Sequence, residues 1–198
     1  GSKYDLVLVG MSLFLYSLPA YWVGMIFIFA FASAHGYTVF PTSGFRSIVK
    51  FKDPLLLGMD LFWHLFLPIL TFTLVSFGWY LLLMRNNLVV VMSEDFIMVA
   101  KAKGLNENVI LRKHALKNAI LPIVTSVVYA IATMWTGAIL TEQVFNISGM
   151  GLLFWNAIMG NDWPVAEALF YLIALSIIIA SFIIDIVYVI IDPRIKYT

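Results

Sequence analysis

Residues 165–191 read VAEALFYLIALSIIIASFIIDIVYVII, and Glu167 and Asp185 are the only charged residues among them. A run of this length exceeds the ~20 residues that cross about 30 Å of hydrocarbon. It must be a helix, because an isolated strand in lipid would leave its backbone N–H and C=O groups unpaired. The whole chain of 198 residues shares the bias: 62% is apolar and 12% charged, with a mean hydropathy of +0.96. Soluble domains carry roughly twice that share of charge. A net charge of +1 excludes a strongly basic nucleic-acid binder, and the absence of cysteine excludes disulfides and thiolate metal sites.

Outward from this run, three further segments are long and apolar enough to span, at 6–33, 61–84 and 119–140. The expected fold is an all-α membrane protein, a polytopic bundle of about four transmembrane helices forming one membrane domain over 1–198. Lys and Arg orient it. Arg85, Lys101, Lys103, Arg112, Lys113 and Lys117 lie between spans two and three, and Lys3, Arg194 and Lys196 lie at the ends. Only Arg46, Lys50 and Lys52 fall in the other connections. Nine against three places both termini and the central linker in the cytoplasm, with loops 34–60 and 141–164 outside.

The linker, 93–118, has the punctuation of a short helix. Ser93 is placed to cap it, Glu94 and Asp95 suit its positive end, Lys101 and Lys103 its negative end, and Gly104 a left-handed stop. Phe96, Val99, Ala100 and Lys103 are expected on one face. A second helix start follows at Asn106-Glu107, and Pro122 is expected to kink the entry to span three. Such a helix is either a docking knob for a soluble partner or an interfacial helix on the headgroups. Physical chemistry alone leaves both open.

The run Ala100-Lys101-Ala102-Lys103-Gly104-Leu105, followed by His114-Ala115-Leu116-Lys117-Asn118-Ala119-Ile120-Leu121-Pro122, resembles the cytoplasmic loop of dipeptide/oligopeptide-type ABC importer permeases. That loop carries the pattern EAA, three residues, Gly, nine residues, I-x-L-P. Ala100 and Gly104 fall on its second Ala and its Gly, Met98 and Val99 replace the Glu and first Ala, and only Leu116 matches in the I-x-L-P slot. Other landmarks of the family occur in the same order: Pro41-Thr42-Ser43-Gly44, His64 through Pro68, Glu142-Gln143-Val144-Phe145 with Gly149-Met150-Gly151, Asn161 through Pro164, and Asp185 through Asp192-Pro193-Arg194. The family's usual amino-terminal part, one or two spans and an external segment, has no counterpart in these residues.

The resemblance implies a type I ABC importer permease core in the plasma (inner) membrane of a prokaryote. It implies no enzymatic activity and no cofactor in this chain, with ATP and Mg held by a separate cytoplasmic ABC ATPase; no G-x-x-x-x-G-K-[ST] phosphate loop occurs here. The helix at 94–104 would be the coupling helix, with Glu94, Phe96, Val99, Ala100, Lys101, Lys103, Gly104, Leu105 and Leu116 at the ATPase. The other partners implied are a second permease, identical or similar, and an extracytoplasmic binding protein that delivers peptides or related solutes; lipid surrounds the spans.

Glu142 and Asp162 are candidate gate or outer docking groups. Asp185 is read as a structural intramembrane charge. His35, His64 and His114 lack ligand spacing, so no metal site is expected. Two other function classes are open to a chain of this composition. An ATPase-independent channel or carrier would use Asp185 as an ion site, but Asp185 lies too near one end of its span. An intramembrane enzyme using Asp162 and Asp185 would need two carboxylates that lie toward opposite faces.

Overall fold

The computed structural model describes residues 3–33, 39–47, 51–136 and 138–191. Lys50, His35, Arg194, Lys196 and the Asp192-Pro193-Arg194 landmark lie outside the described residues. Helices account for every regular element among the described residues: α1 (Lys3–Ser17), α2 (Ala20–Phe27), α3 (Pro54–Met92), α4 (Asp95–Ala102), α5 (Glu107–Val109), α6 (Leu116–Ala119), α7 (Leu121–Ala132), α8 (Ile139–Val144), α9 (Met150–Met159) and α10 (Trp163–Ile191). Short π turns follow α2 (Ile28–Ser33) and α5 (Ile110–Ala115), and a 3₁₀ turn follows α7 (Thr133–Thr136).

The expected fourth span is present as α10, and the second lies within α3, which runs 39 residues or about 58 Å. α3 therefore extends beyond 61–84 on both sides. Its first turns contain Asp60, so 54–60 is helix where a loop was expected. Pro68 sits inside it without ending it.

The first expected span is broken. α1 and α2 meet at 93° across Leu18-Pro19, because proline disfavours a helical residue before it and supplies no N–H. Pro19 instead starts α2, its carbonyl accepting from the N–H groups of Trp22 and Val23. The third span, expected to reach 140, is α7 plus its 3₁₀ turn, and 139–140 belong to α8. The helical stretch Glu107–Ala119 meets α7 at 40°, the bend expected at Pro122. By length and composition two helices can cross a membrane, or up to four if each bent pair is one span.

The chain groups into two compact units, Gly1–Trp79 with Trp135–Phe170, and Tyr80–Met134 with Tyr171–Thr198. In the first, α1 crosses α3 at small residues: Ser12 is 1% exposed, and a Cβ on Gly78 would lie 2.6 Å from the Ser12 backbone oxygen. The core of this unit is Ala32, Leu67 and Phe145. In the second unit, Ile97, Ala100, Ile110 and Ala115 form the core, with Leu88, Val91 and Met92 packed against it.

Candidate coupling site and the Phe145 clamp

Helix α4 is terminated at both ends by local chemistry. The Ser93 hydroxyl donates to the Val90 carbonyl at 2.6 Å, closing α3, so Ser93 does not cap α4 as expected. Glu94 takes the N-cap position with extended backbone, its carbonyl accepting from Ile97 N–H at 3.0 Å, and its side chain makes no cap bond. Asp95 lies in the first turn and Lys101 in the last, each favourable against the helix dipole. At the other end Gly104 has φ +74, its N–H donates to Lys101 and the Leu105 N–H to Ala100. That pair of bonds is the Schellman stop, which needs a left-handed residue where Gly104 stands.

The inward face of α4 is Ile97 and Ala100, three apart and 0% and 5% exposed. Ile110 and Ala115 meet them from the π turn. Five residues separate that pair, and the wider π spacing brings both to one side. Phe96, Val99 and Lys103 do share a face, as expected, and it points outward together with Met98. Ala100 leaves that face: its small side chain allows close approach within this chain. Glu94, Lys101, Lys103, Gly104, Leu105 and Leu116 are also exposed. A Cβ on Gly104 would meet nothing within 4 Å.

The structure brings the landmarks of residues 41–44, 64–68 and 142–151 together around Phe145, which is 2% exposed. A Cβ on Gly24 would lie 2.8 Å from the Phe145 ring, so the glycine supplies the seat. Gly44, at φ +83, donates its N–H to the Phe145 carbonyl at 2.9 Å. Phe40 stacks on Phe66 with ring centroids 4.6 Å apart, and Trp63 lies equally close. The Asp60 carboxylate accepts from the N–H and the hydroxyl of Ser47, and the buried His64 ring hydrogen-bonds the Asp60 carbonyl at 2.8 Å.

The Glu142 side chain is turned to backbone N–H groups. Its half-buried carboxylate accepts from Gly151 N–H at 3.3 Å and Leu152 N–H at 2.7 Å, capping α9 from the preceding helix. A Cβ on Gly149 would lie 2.5 Å from its carboxyl carbon, so the glycine makes room for the acid. Asp162 is the exposed N-cap of α10, its carbonyl accepting from Ala166 and its carboxylate from Val165 at 3.4 Å. Asp185 lies on the exposed side of α10 and interacts within the chain. Sequence reasoning missed Ile97, Gly24, Asp60 and Phe145 as organising residues; of these only Phe145 carried a signal, as part of a landmark.

Truncating Glu142 to alanine strips the acceptor from two N–H groups at the start of α9. The expected loss is about 1 kcal/mol, the usual worth of a helix cap. It is read as a lower detergent melting temperature and faster amide exchange at residues 150–152, while Glu142→Gln, which keeps one acceptor, loses less.

Residues 1–197 match the family model described as "Binding-protein-dependent transport system inner membrane component". The chain is 34% identical over 197 residues to a probable peptide ABC transporter permease of Sinorhizobium fredii, covering 100% of this chain and 60% of that protein. It is 33% identical over 214 residues to the dipeptide transport system permease DppB of Escherichia coli K12, covering 100% of this chain and 62% of the relative. To the oligopeptide transport system permease AppB of Bacillus subtilis it is 32% identical, covering 99% of this chain and 60% of the relative. The chain thus spans about 60% of the length of the curated relatives it matches. Over that length it belongs to the family of binding-protein-dependent transport system inner membrane components.

Proposed function

We propose that this chain is the core of a membrane-spanning translocation subunit of an ATP-driven importer of peptides or a related small solute. The observation that carries the reading is α4, an eight-residue helix stopped at both ends, packed on its own apolar cluster, with Phe96, Met98 and Val99 turned outward. A helix so short does not hold itself together in water. Its cluster makes it rigid enough to pass on a displacement, through Leu88, Val91 and Met92 of α3. The reading assigns ATP hydrolysis, with Mg, to a cytoplasmic ABC ATPase seated on α4, and no enzymatic step to this chain. It adds a second permease and an extracytoplasmic binding protein, and it puts both termini of this chain on the cytoplasmic side.

Gly104 gives the test. Its backbone needs a left-handed residue but its surroundings are open, so two substitutions separate the two needs. Gly104→Asn keeps the left-handed stop and adds bulk; Gly104→Val adds bulk and strains the stop by ~1–2 kcal/mol. If a partner backbone sits against Gly104, both variants insert normally, lose uptake in proteoliposomes and fail to retain the ATPase in a detergent pull-down. Uptake and ATPase retention at the unmodified level in Gly104→Asn would remove the docking role. Uptake that needs no ATPase would instead favour a channel or carrier.

A further inference from the structure

The seat of α4 is built on the π turn Ile110–Ala115, within the unit that contains residues 80–134. Ile110, Ala115 and Ala119 are each 1% exposed or less, so they form one buried stripe, with a spacing of five and then four. In an α-helix residues five apart lie ~140° apart around the axis and residues four apart only ~40°. The stripe is therefore continuous because the turn holds one residue more than an α-helix would. At the end of the turn the Leu116 N–H donates to the Leu111 carbonyl, five residues back. A single wide turn of this kind inside α-helix is a feature that recurs at functional sites.

The neighbouring residues decide which way the extra residue can pass along the helix. If it passes beyond Ala115, the α spacing counted from Ile110 brings His114 beneath α4, an imidazole among Ile97, Ala100, Leu88, Val91 and Met92, where a polar group is costly. If it passes toward the helix start at Asn106, the α spacing counted back from Ala115 brings Leu111 there instead. Leu111 is 40% exposed and Ile110 1%, so this exchange buries a leucine and frees an isoleucine. Their volumes match, and such a swap costs little. Residues 103–108 are exposed, so the turn between α4 and α5 has room for the residue it receives.

We propose that this π turn is a one-residue register switch beneath α4, exchanging Ile110 for Leu111 against Ile97 and letting α4 travel by one helical rise, ~1.5 Å, without leaving its seat. It rests on the import reading above and adds where a displacement received by α4 is taken up. Ala115 and Ala119 keep their places in both registers, so the step falls between α4 and the entry to α7.

The chain has no cysteine, so introduced pairs report the register. In the transporter assembled with its ATPase, Ile97→Cys with Ile110→Cys is expected to form a disulfide without nucleotide, and Ile97→Cys with Leu111→Cys to form one when a non-hydrolysable ATP analogue is added. Deleting Arg112, which is exposed, removes the extra residue and leaves Ile110 and Ala115 four apart on an ordinary α-helix. Amide exchange at 95–102 is then expected to stay as slow as in the unmodified chain while uptake falls to background; Arg112→Ala, which keeps the length, retains uptake. A pair at 97 and 111 that never closes, a deletion variant that keeps its uptake, or fast exchange at 95–102 in that variant would each overturn the proposal. Uptake is read separately in the unmodified chain. An assembly that closes the pair at 97 and 111 yet imports no peptide refutes import and leaves the switch standing, and one that imports while the pair stays open refutes the switch alone.

Discussion

Ile97→Asp is expected to abolish uptake while the chain still enters the membrane. Ile97 is 0% exposed in the apolar cluster that holds α4. A carboxylate there packs against Ala100, Ile110, Ala115 and the Leu88, Val91 and Met92 side chains of α3, and burying a charge among them is far costlier than an eight-residue helix can bear. The helix therefore leaves its platform and melts. Hydrogen exchange at 95–102 should rise to the level of an unstructured segment, and uptake in proteoliposomes should fall to background. Ile97→Val, which removes one methyl at a cost of about 1 kcal/mol, should keep both near normal. Exchange at 95–102 that stays slow in the aspartate variant would show that the cluster does not hold the helix.

Gly78→Val carries the second large effect, on folding. The added Cβ would lie 2.6 Å from the Ser12 oxygen, 3.0 Å from the Tyr16 nitrogen and 3.1 Å from the Leu15 Cβ. Two of these are backbone atoms of a helix, which cannot swing aside as a side chain can. α1 must move off α3, separating the Tyr16 and Trp79 rings now 5.2 Å apart. Overpacking of this kind costs about 3 kcal/mol or more where the backbone is the obstacle. Size-exclusion profiles in detergent should show loss of the monodisperse species. Gly10→Val and Gly58→Val, where a Cβ meets nothing within 4 Å, give the comparison and should leave the profile intact. A monodisperse Gly78→Val protein would mean that α1 and α3 can part at little cost.

What could be read from the sequence was what is encoded locally. The Schellman stop at Gly104, the start at Asn106, the bend before Pro122 and the α10 span each depend on residues within one or two turns. The Asn106 side chain accepts from Asn108 N–H at 2.9 Å, as such a start requires. Pro19 was visible too, yet the apolar run on either side of it outweighed the break it makes. Around Phe145 the landmarks at 41–44, 64–68 and 142–145 are visible in the sequence but their meeting is not, because the seat is assembled from Gly24, Ala32, Leu67 and Gly44, which are far apart along the chain. Glu142 stands out in the sequence for its charge at the edge of a loop. Its carboxylate is turned to the backbone of α9, a direction no spacing rule reveals.

The placement of Glu142 also bears on how this stretch can change over generations. The room vacated at Gly149 is room the acid fills, so positions 142 and 149 are not free to drift singly. Larger residues at 149 become acceptable only after 142 has shortened, and a shortened 142 has already given up its hold on α9. Either order of substitution passes through a weaker protein. The two positions are expected to be inherited as a pair, and the short apolar helix after them to keep its start for as long as the pair persists.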